Sequence, residues 1–281
     1  MAELLRGAPV AAAIRADLKG RAAALLSRGV TPKLALVRVG ENPDDLYYEQ
    51  SLRRGCEAIG AEAECLALDA SCAQAELIAA LEKLSEREDA HGCLLLRPLP
   101  AGMDSFAVFD ALCAEKDLDG MTSHSLGALF SGRPGAFAPC TADAVMALLR
   151  HYGVDPAGKR AVIVGRSLVV GRPLAQLLLD ADATVTVCHR QTADLAARCR
   201  EAEILISAAG KPGLIGREHL RCGQVVIDVG TTAVGGTLRG DVDFAATEEL
   251  SAAVTPVPGG VGSVTTALLL RHLIEAAERR A

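Results

Sequence analysis

The stretch RAVIVGRSLVVGRP (160–173) constrains the chain more than any other. Ala161–Val164 is a short apolar run that Gly165 stops. Gly171 follows six residues later, and Pro173 with the apolar AQLLLDADA segment reads as the start of a helix. Strand, glycine turn and helix N-terminus in that order bring free backbone N–H groups and the positive end of a helix dipole to one place, which is a cradle for an anion. The loop is GxSxxxGxP, a variant of the dinucleotide fingerprint GxGxxG. A glycine turn alone can equally serve tight strand–helix geometry, so its surroundings decide its meaning.

Those surroundings are regular. AVIVG (161–165), TVTVCH (184–189), EILISAAG (203–210) and QVVIDVG (224–230) read as strands separated by helices or short connections, the spacing of a βαβ dinucleotide domain with a parallel sheet. The first half gives strands LALVRVG (34–40), AECLAL (63–68) and GCLLLRPLP (92–100), with helices over Leu46–Ile59 and Ala73–Leu84 between them. A chain of 281 residues supports two domains. The turn-rich FSGRPGAFAPCT (130–141) is the expected boundary. The fold class is therefore α/β with two domains: an N-terminal α/β substrate domain over 1–139 and a C-terminal Rossmann-like dinucleotide domain over 140–263. An amphipathic helix over 264–281 is expected to pack back on the first domain.

Net charge is −6 and no basic tract occurs, which speaks against nucleic acid and membrane surfaces as partners. No uncharged run is long enough to span a bilayer, and MAELLRGAPV does not resemble a signal peptide. The nine cysteines are scattered with no CxxC pair, so neither a metal site nor a disulfide framework is expected. A cytoplasmic protein with reduced thiols fits this usage.

In a dinucleotide domain the end of the second strand meets the adenosine ribose. An acid there suits NAD, and an arginine suits the 2′-phosphate of NADP. Here that strand ends Cys188-His189-Arg190, and Arg166 in the loop adds a second guanidinium. Two planar cations can grip one phosphate bidentately, which favours NADP. The alternative is a pair of solvated surface charges. His189 reads as structural, and Lys116 and Asp117 read as solvated charges or local pairs.

GENPDDLYYEQSLRRGCEAIG (40–60), AEKDLDG (114–120), PCT (139–141), GRSLVVGRP (165–173) and TPVPGGVGSVT (255–265), in this order, resemble the methylenetetrahydrofolate dehydrogenase/methenyltetrahydrofolate cyclohydrolase family over essentially the whole chain. The resemblance implies a homodimeric, cytoplasmic, NADP-dependent enzyme of one-carbon metabolism acting on tetrahydrofolate derivatives. It oxidises the methylene bridge of the folate to a methenyl cation and then hydrolyses that cation to 10-formyltetrahydrofolate. The implied cofactor contacts are Gly165, Arg166, Ser167, Gly171, Arg190, Gly210 and Thr231. The implied substrate contacts are Tyr48, Leu52, Leu96, Asp119, Pro258, Gly259 and Gly260, with Tyr48 and Asp119 as catalytic residues. Gly259, Gly260 and Gly262 could instead serve one tight turn.

Six positions depart from the family. Its folate-site Lys, four residues after the Tyr and so on the same helix face, is Leu52 here. Its Gln is Leu96, with Arg97 beside it where an apolar residue is usual. Its Pro-Met-Thr after PVPGGVG is Ser263-Val264-Thr265, and an Asn is Ser125. Hydride transfer needs binding and orientation, whereas hydrolysis needs a group that moves protons. A lysine of depressed pKa can do this and leucine cannot. The expectation is a dehydrogenase whose cyclohydrolase step is weak or lost. The alternatives are a non-catalytic binding relative and the same scaffold turned to another anionic substrate.

Overall fold

The computed structural model describes residues 1–281. In chain order the elements are β1 (Glu3–Leu4), α1 (Gly7–Ser27), β2 (Lys33–Val39), α2 (Pro43–Ile59), β3 (Glu62–Leu68), α3 (Gln74–Glu86), β4 (Gly92–Leu95), α4 (Ser105–Phe109), α5 (Ser123–Ser131) and α6 (Cys140–His151). Then come β5 (Arg160–Val164), α7 (Gly171–Asp180), β6 (Thr184–Cys188), α8 (Leu195–Glu201), β7 (Ile204–Ser207), β8 (Val225–Asp228), β9 (Thr232–Val234), β10 (Thr237–Arg239), α9 (Phe244–Leu250), β11 (Ala253–Val254) and α10 (Val261–Glu278). They form two compact units, Met1–Ala12 with Thr141–Thr265, and Ala13–Cys140 with Thr266–Ala281.

The first unit holds a six-stranded sheet in the order β1-β11-β8-β7-β5-β6, parallel at every pairing, and a small antiparallel ribbon of β9 and β10. Residues 1–12, expected with the substrate domain, group here because β1 pairs with β11 at Glu3↔Ala253 and Leu4↔Val254. Ala161–Val164 and Ile204–Ile206 are buried without alternation, as strands covered on both faces must be. On one face, Val162, Val164 and Leu205 meet Val226, Val254 and Cys188 in one apolar cluster.

The second unit holds a three-stranded parallel sheet, β3-β2-β4, with Val37 opposite both Leu66 and Leu95. Helix α2 is specified locally at both ends. Asn42 caps it by accepting from the Asp44 N–H, Pro43 opens it, Asp44 and Asp45 favour its positive end, and Gly60 ends it at φ 82°. Ala35 and Val37 pack on Leu77, Leu81 and Leu84 of α3. Each such leucine contributes about 1.5–3 kcal/mol on burial. The strand expected over 92–100 ends at Leu95, since Pro98 and Pro100 have no N–H for a ladder.

The C-terminal helix is buried more widely than an amphipathic pattern implies, with Leu268, Leu269 and Leu270 all at 1% exposure or less. A Cβ on Gly55 of α2 would lie 3.1 Å from Leu270 Cδ1, so the two helices touch closely. No helix of the protein is long and apolar enough to cross a membrane.

Candidate functional site

In the six-stranded sheet β5 lies between β6 and β7, so the chain reverses its strand order at β5. Ligands of such sheets bind beyond the carboxyl ends of the strands at that reversal. A cavity of about 630 Å³ lies there, lined by Gly165, Arg166 and Ser167 after β5, by His189, Arg190, Thr192 and Leu195 after β6, and by Ala208, Ala209, Lys211 and Leu214 after β7. Gly165 is required by its backbone. Its φ is +129°, and a Cβ there would sit 2.3 Å from the Ala208 carbonyl oxygen. Gly171 opens α7, where a Cβ would sit 2.1 Å from the Gly165 oxygen. The turn between them is closed by Ser167, whose Oγ accepts from the Val170 N–H at 3.1 Å.

Three cations, Arg166, Arg190 and Lys211, line this cavity and no carboxylate does. The donor set fits a phosphorylated dinucleotide, and Arg166 and Arg190 suit its 2′-phosphate. His189 belongs to the lining. Its N–H donates to Thr192 Oγ1 at 2.8 Å, and its Nδ1 accepts from the Gln191 N–H at 3.2 Å, which fixes the turn after β6. Gly171, Gly210 and Thr231 do not line the cavity. Gly171 supports it by close packing, the Gly210 N–H donates to Asp241 at 3.2 Å, and Thr231 is exposed after β8. Lys211 escaped the sequence reading although it follows the third strand segment directly, where the strand-end rule would have found it.

The second cluster lies in the three-stranded unit. Tyr48 on α2 is partly buried, whereas Tyr47 is 72% exposed. Burial raises the Tyr48 hydroxyl above its usual pKa, as do Cys140 and Asp119 nearby; a hydrogen bond with Thr266 and the charge of Arg97 oppose the rise. Asp119 Oδ2 accepts from Arg97 Nη2 at 2.7 Å, and its Oδ1 accepts from the Cys140 N–H at 3.2 Å. Burial pushes the Asp119 carboxyl up, and Arg97 and the Cys140 N–H hold it down. Tyr48, Arg97, Asp119 and Thr266 thus form one polar cluster. Leu52, one turn on from Tyr48, is fully buried, and Leu96 is 6% exposed with its N–H given to the Val37 oxygen.

Two expectations need correction. Lys116 is not solvated but buried, its Nζ donating to the carbonyls of Leu84, Ser85 and Arg87 at the end of α3, where helix carbonyls lack partners. Burial lowers its pKa. Asp117 is buried too, accepting from the N–H groups of Met121 and Thr122. Pro258, Gly259 and Gly260 belong to the six-stranded unit, where Gly259 accepts from the Gly7 N–H at 2.8 Å. A Cβ on Gly7 would meet the Gly260 oxygen at 2.1 Å, so close backbone packing accounts for part of this glycine pattern.

Comparison with known proteins agrees with this division of labour. The family model described as tetrahydrofolate dehydrogenase/cyclohydrolase, catalytic domain, matches residues 5–119, and that of the NAD(P)-binding domain of the same family matches residues 139–281. The bifunctional protein FolD of Carboxydothermus hydrogenoformans is 45% identical over 281 residues, covering 99% of this chain and 98% of the relative. The crystal structure of the bifunctional FolD dehydrogenase/cyclohydrolase from Campylobacter jejuni superposes with a TM-score of 0.98 at 38% identity, with 100% of both chains covered. The Trypanosoma brucei FolD structure, complexed with NADP cofactor and inhibitor, gives a TM-score of 0.93 at 39% identity, covering 99% of this chain and 98% of that one. A glycine turn at a strand-order reversal, matched domain by domain, places this chain in the tetrahydrofolate dehydrogenase/cyclohydrolase family.

Proposed function

We infer that the protein oxidises 5,10-methylenetetrahydrofolate to 5,10-methenyltetrahydrofolate with NADP, and that the family's hydrolytic step to 10-formyltetrahydrofolate is weak or lost. The acid-free, three-cation cavity at the glycine turn carries the first half of this reading. The cofactor supplies a hydride acceptor. The carbon gives up a hydrogen with its electron pair and becomes a cation shared by two nitrogens, so no proton need be moved by the protein in that step. What the chain must do is hold the folate. Asp119 accepts from pterin N–H groups, because a carboxylate has about four lone-pair sites and Arg97 and Cys140 leave at least one open. Tyr48 offers a ring face and a hydroxyl for the same ligand.

Leu52 carries the second half of the reading. Water addition to the methenyl carbon requires protons to be taken up and released, and a fully buried leucine has none to exchange. Arg97 does not replace the missing group, since its guanidinium is committed to the Asp119 carboxylate. The homodimeric state and cytoplasmic location implied by the family belong to this proposal. Nine free cysteines suit a reducing compartment.

The test is an assay pair on the purified chain. With methylenetetrahydrofolate, NADP is reduced and NAD is reduced much more slowly. With methenyltetrahydrofolate alone, decay matches the buffer background. NADPH binding with no folate-dependent reduction would identify a non-catalytic relative, and NADP binding without folate binding would point to another substrate. Hydrolysis well above background would overturn the claim for the second step.

A further inference from the structure

Three successive backbone N–H groups, those of Ala209, Gly210 and Lys211, converge on one side chain. Asp241 Oδ2 accepts from Ala209 at 2.7 Å and from Gly210 at 3.2 Å, and Oδ1 accepts from Lys211 at 2.7 Å. Oδ2 also accepts from the Ser207 hydroxyl at 3.0 Å. Consecutive N–H groups arranged in this way elsewhere bind an external anion. Here the anion is the protein's own carboxylate, and Asp241 has no exposed surface.

We propose that Asp241 is a positioning residue for the cofactor: its buried carboxylate fixes the backbone of residues 209–211, from which Ala209 and Lys211 line the nucleotide cavity. The proposal rests on the assignment of that cavity to NADP. It gives Gly210 a role in the shape of the site in place of a direct contact, because its N–H is spent on Asp241.

Asp241 is itself held from behind. Its N–H donates to Asp228 Oδ1 at 3.0 Å, the Val242 N–H donates to Asp228 Oδ2 at 3.0 Å, and the Gly230 N–H donates to Asp228 Oδ1 at 3.0 Å. The Asp228 N–H donates in turn to Thr255 Oγ1 at 2.7 Å. The two glycines facing these carboxylates leave room for nothing larger. A Cβ on Gly230 would sit 2.2 Å from Asp241 Cγ, and one on Gly240 would sit 1.9 Å from Asp228 Oδ2. The Asp241 oxygen also accepts from the Ile215 N–H, so the chain over 207–215 is tied to residue 241 at both ends. A buried carboxylate with four donors is costly to remove, since each donor is left without a partner. The segment that would loosen is the one that carries the cavity's only lysine.

The experiment compares wild type with Asp241→Asn in steady-state kinetics and NADPH binding. Asparagine keeps the size and one acceptor oxygen but turns two N–H donors toward the segment. The expected result is a rise of about tenfold in KM for NADP and Kd for NADPH, with KM for methylenetetrahydrofolate changed less than about twofold. An unchanged Kd, or an equal rise in both KM values, overturns the positioning role. A measurement on the wild-type chain stands even if the variant does not fold. Without nucleotide, the amides of Ala209, Gly210 and Lys211 are expected to exchange at least about 100-fold slower than an open loop. Exchange at the open-loop rate overturns the proposal. Failure of wild-type chain to bind NADPH would instead remove the cofactor assignment on which the proposal rests, leaving slow exchange of the three amides to report the clamp alone.

Discussion

The two units place their chemistry by the same rule and differ in what they keep there. In one, β5 lies between β6 and β7; in the other, β2 lies between β3 and β4. Each central strand therefore marks a reversal of strand order, and the segments leaving the carboxyl ends carry the polar groups. The six-stranded unit presents Gly165, Arg166, Ser167 and Arg190 around its cavity, the set that the dinucleotide fingerprint predicts. The three-stranded unit presents Tyr48 and Asp119, but Leu52 and Leu96 are apolar and Arg97 pairs with Asp119. On the proposed reading, the groups retained are those that bind and orient two ligands, and the groups replaced are those that would move a proton.

The largest expected effect tests whether the three-stranded unit still binds folate through its carboxylate. Asp119→Asn removes the charge and half of the acceptor capacity, and leaves Arg97 without its ion pair. The expected loss is about 100-fold in kcat/KM for methylenetetrahydrofolate, with NADPH affinity changed less than about twofold. Equal losses for both ligands would mean that the two units do not divide the work as described. A loss under about threefold would remove Asp119 from the folate site.

Arg97 gives the next effect, and it has a pH signature. Burial already raises the Asp119 carboxyl, and Arg97 is the largest influence opposing the rise. In Arg97→Leu the carboxyl moves higher still, so a larger share of it is protonated at a given pH. An acid of raised pKa regains its charge only as pH increases. The KM for methylenetetrahydrofolate is expected to rise about tenfold at pH 7 and to fall toward the wild-type value as pH is raised. A KM equal to wild type at every pH would show that Arg97 does not keep Asp119 ionised.

How much of this was legible in the sequence follows from the range of each interaction. The glycine turn could be read because strand, turn and helix are contiguous, and the Tyr48 frame because Gly40 and Gly60 flank it closely on either side of one helix. Lys116 misled because its three acceptors come from the end of α3, far back in the chain, and a charged side chain carries no local sign of them. The first 33 residues likewise carry no legible element. β1 is two residues long and exists only by pairing with β11, and α1 is alanine-rich with charges spread around it. Arg97 was placed correctly in sequence but had no direction. It lies beyond the end of β4, where period-two alternation no longer applies. Asp241 was invisible for the same reason as Lys116: four of its hydrogen bonds reach back to residues 207–211.

The smallest expected effect is a gain, and it tests the proposed loss of proton chemistry directly. Leu52→Lys with Leu96→Gln restores the residue types that the family places there. Leu52 has no exposed surface, so an ammonium at that position must reach the pocket that holds Tyr48 and Asp119 or lose hydration without compensation. Its pKa would fall on burial and be supported by the Asp119 carboxylate, which is the condition for exchanging protons near neutral pH. The double variant is expected to melt several degrees lower and to hydrolyse methenyltetrahydrofolate at about two to five times the buffer rate, while reducing NADP at close to the wild-type rate. Leu52→Lys alone should give less, because Leu96 still leaves the second of the two polar positions apolar. A folded double variant with background hydrolysis would show that the loss has spread beyond these two side chains, and the difference between the two units would then lie in the shape of the folate pocket as well as in its titratable groups.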